Sequence, residues 1–308
     1  MANRTSLSPF FMDIQLLSEK IYEEMNESHE VVKTLYEFEK NSNFTTELKS
    51  EVSIPSSLLK LGEDIAKEKI KNGMRCFNAP NLSLTRIEIP KNKIPHFIFG
   101  ISDYYATLGT HYALDKVLNG KTIRKTYGDI DEMSTIIGFN RSSYAKTVGT
   151  STLVLTKDNK ALFTQRSNKV AVEPGSVHVT IAEGSQHTDI DSRNRLNPVI
   201  TFMRGVKEEL QTGNNQIAID SGNITILGIG ISRKYLQPEF CLLAEVPQTA
   251  QEILKRIDTN AEDAWERQRM FAIDFTAESM LALLKKYRFS PHGLMAMQMA
   301  LKYKKLIY

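Results

Sequence analysis

Apolar and polar positions alternate with two different periods along this chain, and the change of period predicts its elements. From about residue 11 to 40 the pattern is charged and helical: Ile14, Leu17, Ile21 and Met25 recur at spacings of three and four, as one buried helix face would. Pro55 and Ser56 open a second helix through Leu58, Leu59, Ile65 and Ile70, ending near Gly73. SLTRIEIP (83–90) alternates like a strand and stops at Pro90. The aromatic stretch from Ile94 to Leu118 follows neither period. In the second half, STLVLT (151–156), the turn KDN and KALFTQR (160–166) read as strand, turn, strand. VHVTIAEG (177–184) is a further strand closed by Gly184, followed by a polar loop through residue 197. Asn197 caps a helix with Pro198 at its first position, and Ile200, Met203, Val206 and Leu210 form its expected buried face. Strands at 223–231, 240–246 and 269–274 and helices at 249–257, 277–287 and 291–304 complete the chain. Strands interleaved with helices predict a layered α/β architecture.

Composition narrows this picture. With 308 residues the chain holds about two domains' worth of sequence, at roughly 150 residues each. Hydrophobic residues at 41% and charged residues at 24% describe a folded chain, not a disordered one. Lys and Arg outnumber Asp and Glu by only 39 to 36, which excludes attraction to nucleic acid or membrane through bulk charge. Cys76 and Cys241 lack CxxC spacing, so neither a disulfide scaffold nor a zinc ribbon is expected. No stretch approaches the ~18 apolar residues of a membrane span, and no signal peptide pattern is present. The expected location is therefore cytoplasmic, with reduced thiols. No linker marks a seam, and the helical and aromatic patterns place a boundary near residue 145: a helix-rich region over 1–145 and a second domain over 146–308.

The chemistry concentrates in MRGVKEELQTG (203–213). On a helix, Arg204 and Glu208 stand one turn apart, with Glu209 beside Glu208 on the side away from the apolar residues. Two adjacent carboxylates facing a polar loop suit a hard divalent cation. The same residues also read as a solvated Arg–Glu face, a common helix surface.

In its setting, the segment resembles the Nudix family, whose signature is G-x5-E-x7-R-E-U-x-E-E-x-G-U with U a bulky aliphatic residue. Arg204, Val206, Glu208 and Glu209 fall on the arginine, the aliphatic residue and the paired glutamates, and Gly184 on the opening glycine. TLVLTKDNKALFTQRSNKVAVEPG resembles the family's first strands, with Arg166 ending the QR strand. The resemblance covers residues 148–290 or so and departs from the signature at three points. Gly205 replaces the glutamate after the arginine, and Gln211 replaces a glycine. Twenty positions, against fourteen, separate Gly184 from Arg204, so the intervening glutamate has no clean match. The longer loop offers Glu183, His187, Asp189 and Asp191 instead.

The resemblance implies a Nudix-like α/β/α sandwich with a mixed sheet, preceded by a helix-rich α+β region. It implies a small-molecule substrate, a nucleoside diphosphate linked to another group, hydrolysed with Mg²⁺ or Mn²⁺. Glu208 and Glu209, with Glu183 and Glu266, are the expected metal ligands, and Glu183 the first candidate for the catalytic carboxylate. Arg204 is expected to orient the loop and the glutamates, and Arg166 and Lys169 to meet phosphate. Each has a plainer reading: Glu183 as a strand-end acid, Glu266 with Glu262 and Asp263 as a charged helix end, and Arg166 and Lys169 as solvated cations. Trp265 stacks on a base or packs in the fold. No Walker, Rossmann, GxSxG or HExxH motif is present. The sequence leaves a second function open, a catalytically weak Nudix-like module that binds a nucleotide as a sensor or scaffold. It also leaves open whether the chain is a homodimer.

Overall fold

The computed structural model describes residues 9–28, 32–39, 43–74, 76–90, 94–170, 172–210, 217–257 and 263–308. Gln211 and Glu262 lie outside them. In chain order the first half runs α1 (Pro9–Ser28), β1 (Val32–Glu37), β2 (Thr45–Glu51), α2 (Ser56–Lys71), β3 (Pro80–Glu88), β4 (His96–Asp103) and α3 (Tyr104–Thr110). The short pieces β5 (Val117–Leu118), β6 (Lys121–Thr122), α4 (Ile123–Tyr127), α5 (Ile130–Met133) and α6 (Ile136–Arg141) follow. The second half runs β7 (Gly149–Leu155), β8 (Lys160–Arg166), β9 (Val177–Val179), β10 (Ile181–Gly184), α7 (Pro198–Gly205), β11 (Ile224–Ser232), β12 (Pro238–Glu245), α8 (Ala250–Arg256), β13 (Arg267–Asp274), α9 (Ala277–Lys286) and α10 (Pro291–Tyr303).

Among the described residues, eight strands form a mixed sheet ordered β1-β11-β12-β7-β8-β13, with β10 paired to β7 and β9 to β8. β12 and β7 are parallel; the other pairs are antiparallel. Strand periodicity sends alternate residues to two cores. Val154, Leu162, Phe240 and Leu242 face α7, α8 and the first-half elements. Leu153, Leu155, Phe163, Cys241 and Leu243 face the layer of α1, α9 and α10. The α/β class and the mixed sheet between helices are thus the observed architecture.

The sheet draws strands from both sides of residue 145, because β1 is its edge strand beside β11 and α1 packs on α9. The helical pattern read over 11–40 therefore ends at Ser28 and gives way to β1. Of the remaining first-half strands β5 pairs β6, and the other three make a separate sheet, β2-β4-β3. It is stitched to the main sheet by Leu82 N–H to the Ser185 carbonyl (2.9 Å) and Val148 N–H to the Leu82 carbonyl (2.9 Å). The strand expected over 177–184 is two strands. Thr180 divides them: its hydroxyl donates to the Leu162 carbonyl (2.7 Å) and accepts from Val154 N–H (2.9 Å), so pairing passes from β8 to β7. Among the described residues no helix is long and apolar enough to cross a membrane.

Candidate active site

The site is assembled where β10 ends against α7. Asn197 caps α7 by accepting from Val199 N–H (3.0 Å), with Pro198 supplying the pre-set first position, as expected. The buried face differs from the one read in the sequence. Thr201, Phe202, Gly205, Val206, Glu209 and Leu210 are buried, whereas Ile200 is 39% exposed and Met203 half-buried. Val206 and Leu210 are buried as expected, while Thr201, Phe202 and Glu209 take the inward places expected of Ile200 and Met203, and close packing at Gly205 selects between them. A β-carbon on Gly205 would stand 2.3 Å from Glu183 Cγ and 2.7 Å from Ile181 Cγ2, so only glycine lets α7 lie this near β10. Beyond Gly205 the helix widens into a π-type turn over Val206–Leu210, which carries both glutamates.

Arg204 is the hub. Its Nη1 donates to Glu183 Oε2 (2.7 Å) and Glu208 Oε2 (2.8 Å), its Nε to Asp189 Oδ1 (3.0 Å), and its Nη2 to the Gly184 carbonyl (2.7 Å) and Asp189 Oδ2 (3.2 Å). Asp189 is buried and also accepts from Gln186 N–H (2.9 Å) and the Thr201 hydroxyl (3.0 Å). This loop carboxylate, without a clean place in the linear pattern, is the one that locks Arg204. His187 is exposed, and Asp191 is taken up by Arg195 within the loop (2.8 Å). Burial works against the Arg204 charge, but the carboxylates of Asp189, Glu183 and Glu208 outweigh it and hold the guanidinium above its ordinary range.

Glu209 is not on the exposed side but 8% exposed. Burial, then the negative charges of Glu183 and Glu266, push its carboxyl well above the usual range. Glu183 rises to about 7, chiefly by burial, against the Arg204 charge and with Glu208 and Glu266 adding repulsion. Glu266 stands on a 3₁₀ turn, Ala264–Glu266, tied to the π turn by Asp263 N–H donating to the Glu208 carbonyl (2.9 Å). Its carboxyl is also raised, by burial against the opposing charge of Arg166, whose Nη2 lies 3.6 Å from Glu266 Oε2. The four acids named from sequence thus share one neighbourhood. Among the described residues, no three His, Cys, Asp or Glu side chains already form a metal-holding group.

A cavity of about 420 Å³ opens beside these acids, at the seam between the first-half elements and the main sheet. Glu183, Glu266 and Arg166 line it; Lys169 is exposed and is not among its walls. Trp265 lines it too, its indole N–H donating to Asp263 (3.0 Å). The sequence reading did not single out Glu239. This carboxyl is buried in β12, faces the cavity, and accepts from the Ser151 hydroxyl (2.7 Å). Burial raises it to about 8 despite that bond, with Glu183 adding repulsion. Its signal was one glutamate ahead of the apolar run FCLLA in PEFCLLAE, an acid at a position that the strand pattern buries.

No protein-family model matches the chain, and no curated protein matches it in sequence. Among solved structures, a Deinococcus radiodurans protein is similar over 51% of this chain and 83% of its own, at 14% identity and a TM-score of 0.35. A Nudix hydrolase from M. smegmatis, RenU, is similar over 53% of this chain and 86% of its own (11% identity, TM-score 0.33). The MutT protein from Methanosarcina mazei is similar over 52% and 95% (8% identity, TM-score 0.32). At such identities and scores these likenesses say nothing of activity, which has to be read from the chain's own residues.

Proposed function

We propose that the chain is a Nudix-type hydrolase that cleaves a diphosphate bond in a nucleoside diphosphate linked to another group, with Mg²⁺ or Mn²⁺. The observation that carries this reading is the exchange at Gly205. The space that a side chain at position 205 would fill is held by Glu183, whose Cγ would stand 2.3 Å from such a β-carbon. The Glu183 side chain, delivered from β10, therefore takes the room beside position 205, and its carboxylate is bonded to Arg204.

A hard divalent cation fits the donor chemistry. Glu183, Glu209 and Glu266 are oxygen donors, each with its carboxyl raised first by burial and then by neighbouring carboxylates, so a bound cation would take the place of protons there. These residues would hold the ion, which when bound supplies charge neutralisation of a diphosphate and polarisation of a phosphoryl oxygen. Arg204 has its N–H groups committed to three carboxylates and one carbonyl, so its work is orientation rather than substrate contact. Glu183, with a carboxyl near 7, is matched to take a proton from an attacking water around neutral pH. Arg166, on the cavity wall, is positioned to meet phosphate.

A second reading, a nucleotide-binding sensor or scaffold with weak catalysis, is favoured by one observation: Glu208 is occupied by Arg204 and no three ligands are already grouped. The two readings part on incubation with nucleotide sugars, dinucleoside polyphosphates, NADH and ADP-ribose, with and without Mg²⁺ or Mn²⁺. The hydrolase releases mononucleotide, and Glu183→Gln abolishes release while substrate still binds. Nucleotide binding without product under any metal would establish the binding module instead.

A further inference from the structure

A positive surface lies apart from the cavity, where the start of β13 meets the end of α9. The segments RQRMFAI (267–273) and LALLKKYRFS (281–290) contain no acid. Their exposed cations are Arg269, Lys285, Lys286 and Arg288, whereas Arg267 turns inward to the Glu209 carbonyl. Among the described residues β13 ends the strand order of the main sheet, so this face is an edge of the fold.

Two half-exposed rings are set among the cations. Phe271 on β13 and Tyr287 at the end of α9 lie with centroids 5.7 Å apart and planes at 33°. The Arg269 guanidinium lies over both, 5.2 Å from the Phe271 centroid and 5.8 Å from that of Tyr287. Its Nη2 donates to the Tyr287 hydroxyl (2.9 Å) and its Nε to Gln165 Oε1 (2.8 Å). Neither partner is an acid, so the guanidinium charge is available to a ligand. Lys286 Nζ stands 5.2 Å from the Tyr287 centroid. Burial acts to raise the Tyr287 phenol, yet the hydrogen bonds and charges of Arg269 and Lys286 hold it below its ordinary value. A phenol loosened in this way reports a positive local potential. Arg288 shares the single carboxylate of Glu173 with Lys234, two cations to one acid.

This charge fits a polyanion. A lipid surface would also draw on large apolar side chains projecting among the cations. Apart from Tyr308, the exposed large apolar side chains of the described residues all lie at or before Ile200. Rings interleaved with cations suit a single strand instead, whose phosphates meet Lys and Arg and whose unpaired bases present their faces. A duplex keeps those faces inside its own stack.

We propose that the β13–α9 surface binds single-stranded nucleic acid, with Lys285, Lys286 and Arg288 at phosphates and the Arg269–Tyr287 pair beneath the bases. The assignment holds whether or not the cavity hydrolyses a diphosphate, since Arg269, Lys286 and Tyr287 do not line it.

The test titrates fluorescein-labelled oligouridylate and oligothymidylate, each of about fifteen nucleotides, with the metal-free full chain by fluorescence anisotropy. At least one is expected to bind, and three neutralised phosphates predict about twentyfold weaker binding at about 200 mM salt than at about 50 mM. Lys285→Gln combined with Lys286→Gln, both exposed changes, should weaken binding and lower the salt slope by about 1.4. Tyr287→Leu should weaken it about tenfold at unchanged slope, the scale of one lost stacking contact; if that variant fails to fold, the lysine pair decides. Lys60→Gln combined with Lys71→Gln, exposed on α2, should bind as wild type. Failure of both oligonucleotides to bind at the lower salt would overturn the proposal. So would wild-type affinity and slope in the Lys285 and Lys286 variant, or an equal loss in the α2 variant. Binding to vesicles of equal parts phosphatidylcholine and phosphatidylserine, with none to the oligonucleotides, would overturn it in favour of a membrane surface.

Discussion

Replacing Gly205 by alanine sets two effects of known sign against each other. Glycine inside a helix costs about 1 kcal/mol relative to alanine, so a solvent-facing Gly205 would make the substitution stabilising by that amount. Gly205 instead lies against β10, where the new methyl would sit 2.3 Å from Glu183 Cγ and 2.7 Å from Ile181 Cγ2. Both distances are far inside van der Waals contact, and both atoms belong to a strand held in the sheet by β7. Overpacking of this kind costs about 1–3 kcal/mol. The net expectation is a loss of about 1 kcal/mol, accompanied by displacement of the Glu183 carboxylate from Arg204. Urea denaturation of wild type and Gly205→Ala measures it as a fall in midpoint at unchanged slope.

A cycle with Glu183→Ala isolates the contact, since that change removes the atom at 2.3 Å and leaves the β-carbon at 3.4 Å. Gly205→Ala should cost less in that background, with a coupling of about 0.5–3 kcal/mol. Gly205→Glu, which restores the residue of the family signature, should be worse than alanine and gain no metal affinity, because its room is already filled. A Gly205→Ala protein more stable than wild type would refute the packing argument and with it the role assigned to Glu183.

Three further outcomes follow from the same site. Arg204→Met leaves the carboxylates of Glu183, Asp189 and Glu208 without their shared cation, and the stability loss should be about 3–5 kcal/mol; Arg204→Lys should recover little, because lysine lacks the fork that spans them. A loss under 1 kcal/mol in Arg204→Met would mean that water already solvates the cluster. For pH, a carboxyl raised from 4.5 to about 8 binds its proton more tightly folded than unfolded, so Glu239 stabilises the fold below its unfolded value and loses that contribution as pH rises to 8. His111 and His292, lowered to about 3 and about 4, act oppositely but only below about 6.5, and Lys146, lowered by burial to about 8, offsets part of the loss above it, so the difference between wild type and Glu239→Gln over 6.5 to 8 isolates Glu239. Metal-free wild type should lose about 2 kcal/mol there and Glu239→Gln less; parallel profiles would place the Glu239 carboxyl in water. Mn²⁺ should raise the melting temperature of wild type, and Glu209→Gln should bind it far more weakly while staying folded; equal Mn²⁺ affinity in the two would remove Glu209 from the ligand set.

The legible parts of the chain were those whose signals are local. β8 was read over the same residues it occupies, and the Asn197–Pro198 start of α7 and the α2 stop near Gly73 follow from caps within one turn. β1 was read as helix because its partner β11 is about 190 residues away, and nothing near Val32 announces that pairing. The α7 face was half legible: Val206 and Leu210 are buried as read, but 200/203/206/210 and 202/206/209 both satisfy a spacing of three and four. What selects between them is the absence of a side chain at Gly205, a fact about the distance to β10. Glu239 and the rings of the cavity belong to no short pattern at all, since β12, α3 and α10 bring them together only in the folded chain.

That distinction bears on how the altered signature is to be understood. A signature counts positions along one helix, whereas the chemistry needs carboxylates within one volume. Here the helix carries no side chain at 205 and sits close on the sheet, and the volume beside it is reached from β10 by Glu183. The same seating turns Glu209 inward, where burial, and then the charges of Glu183 and Glu266, raise its affinity for a proton. Arg204 then has to hold a strand acid, a loop acid and a helix acid at once, which its forked guanidinium does through Glu183, Asp189 and Glu208. Glycine at position 205 is therefore compatible with an acid cluster beside α7, because Glu183 reaches that volume from the neighbouring strand.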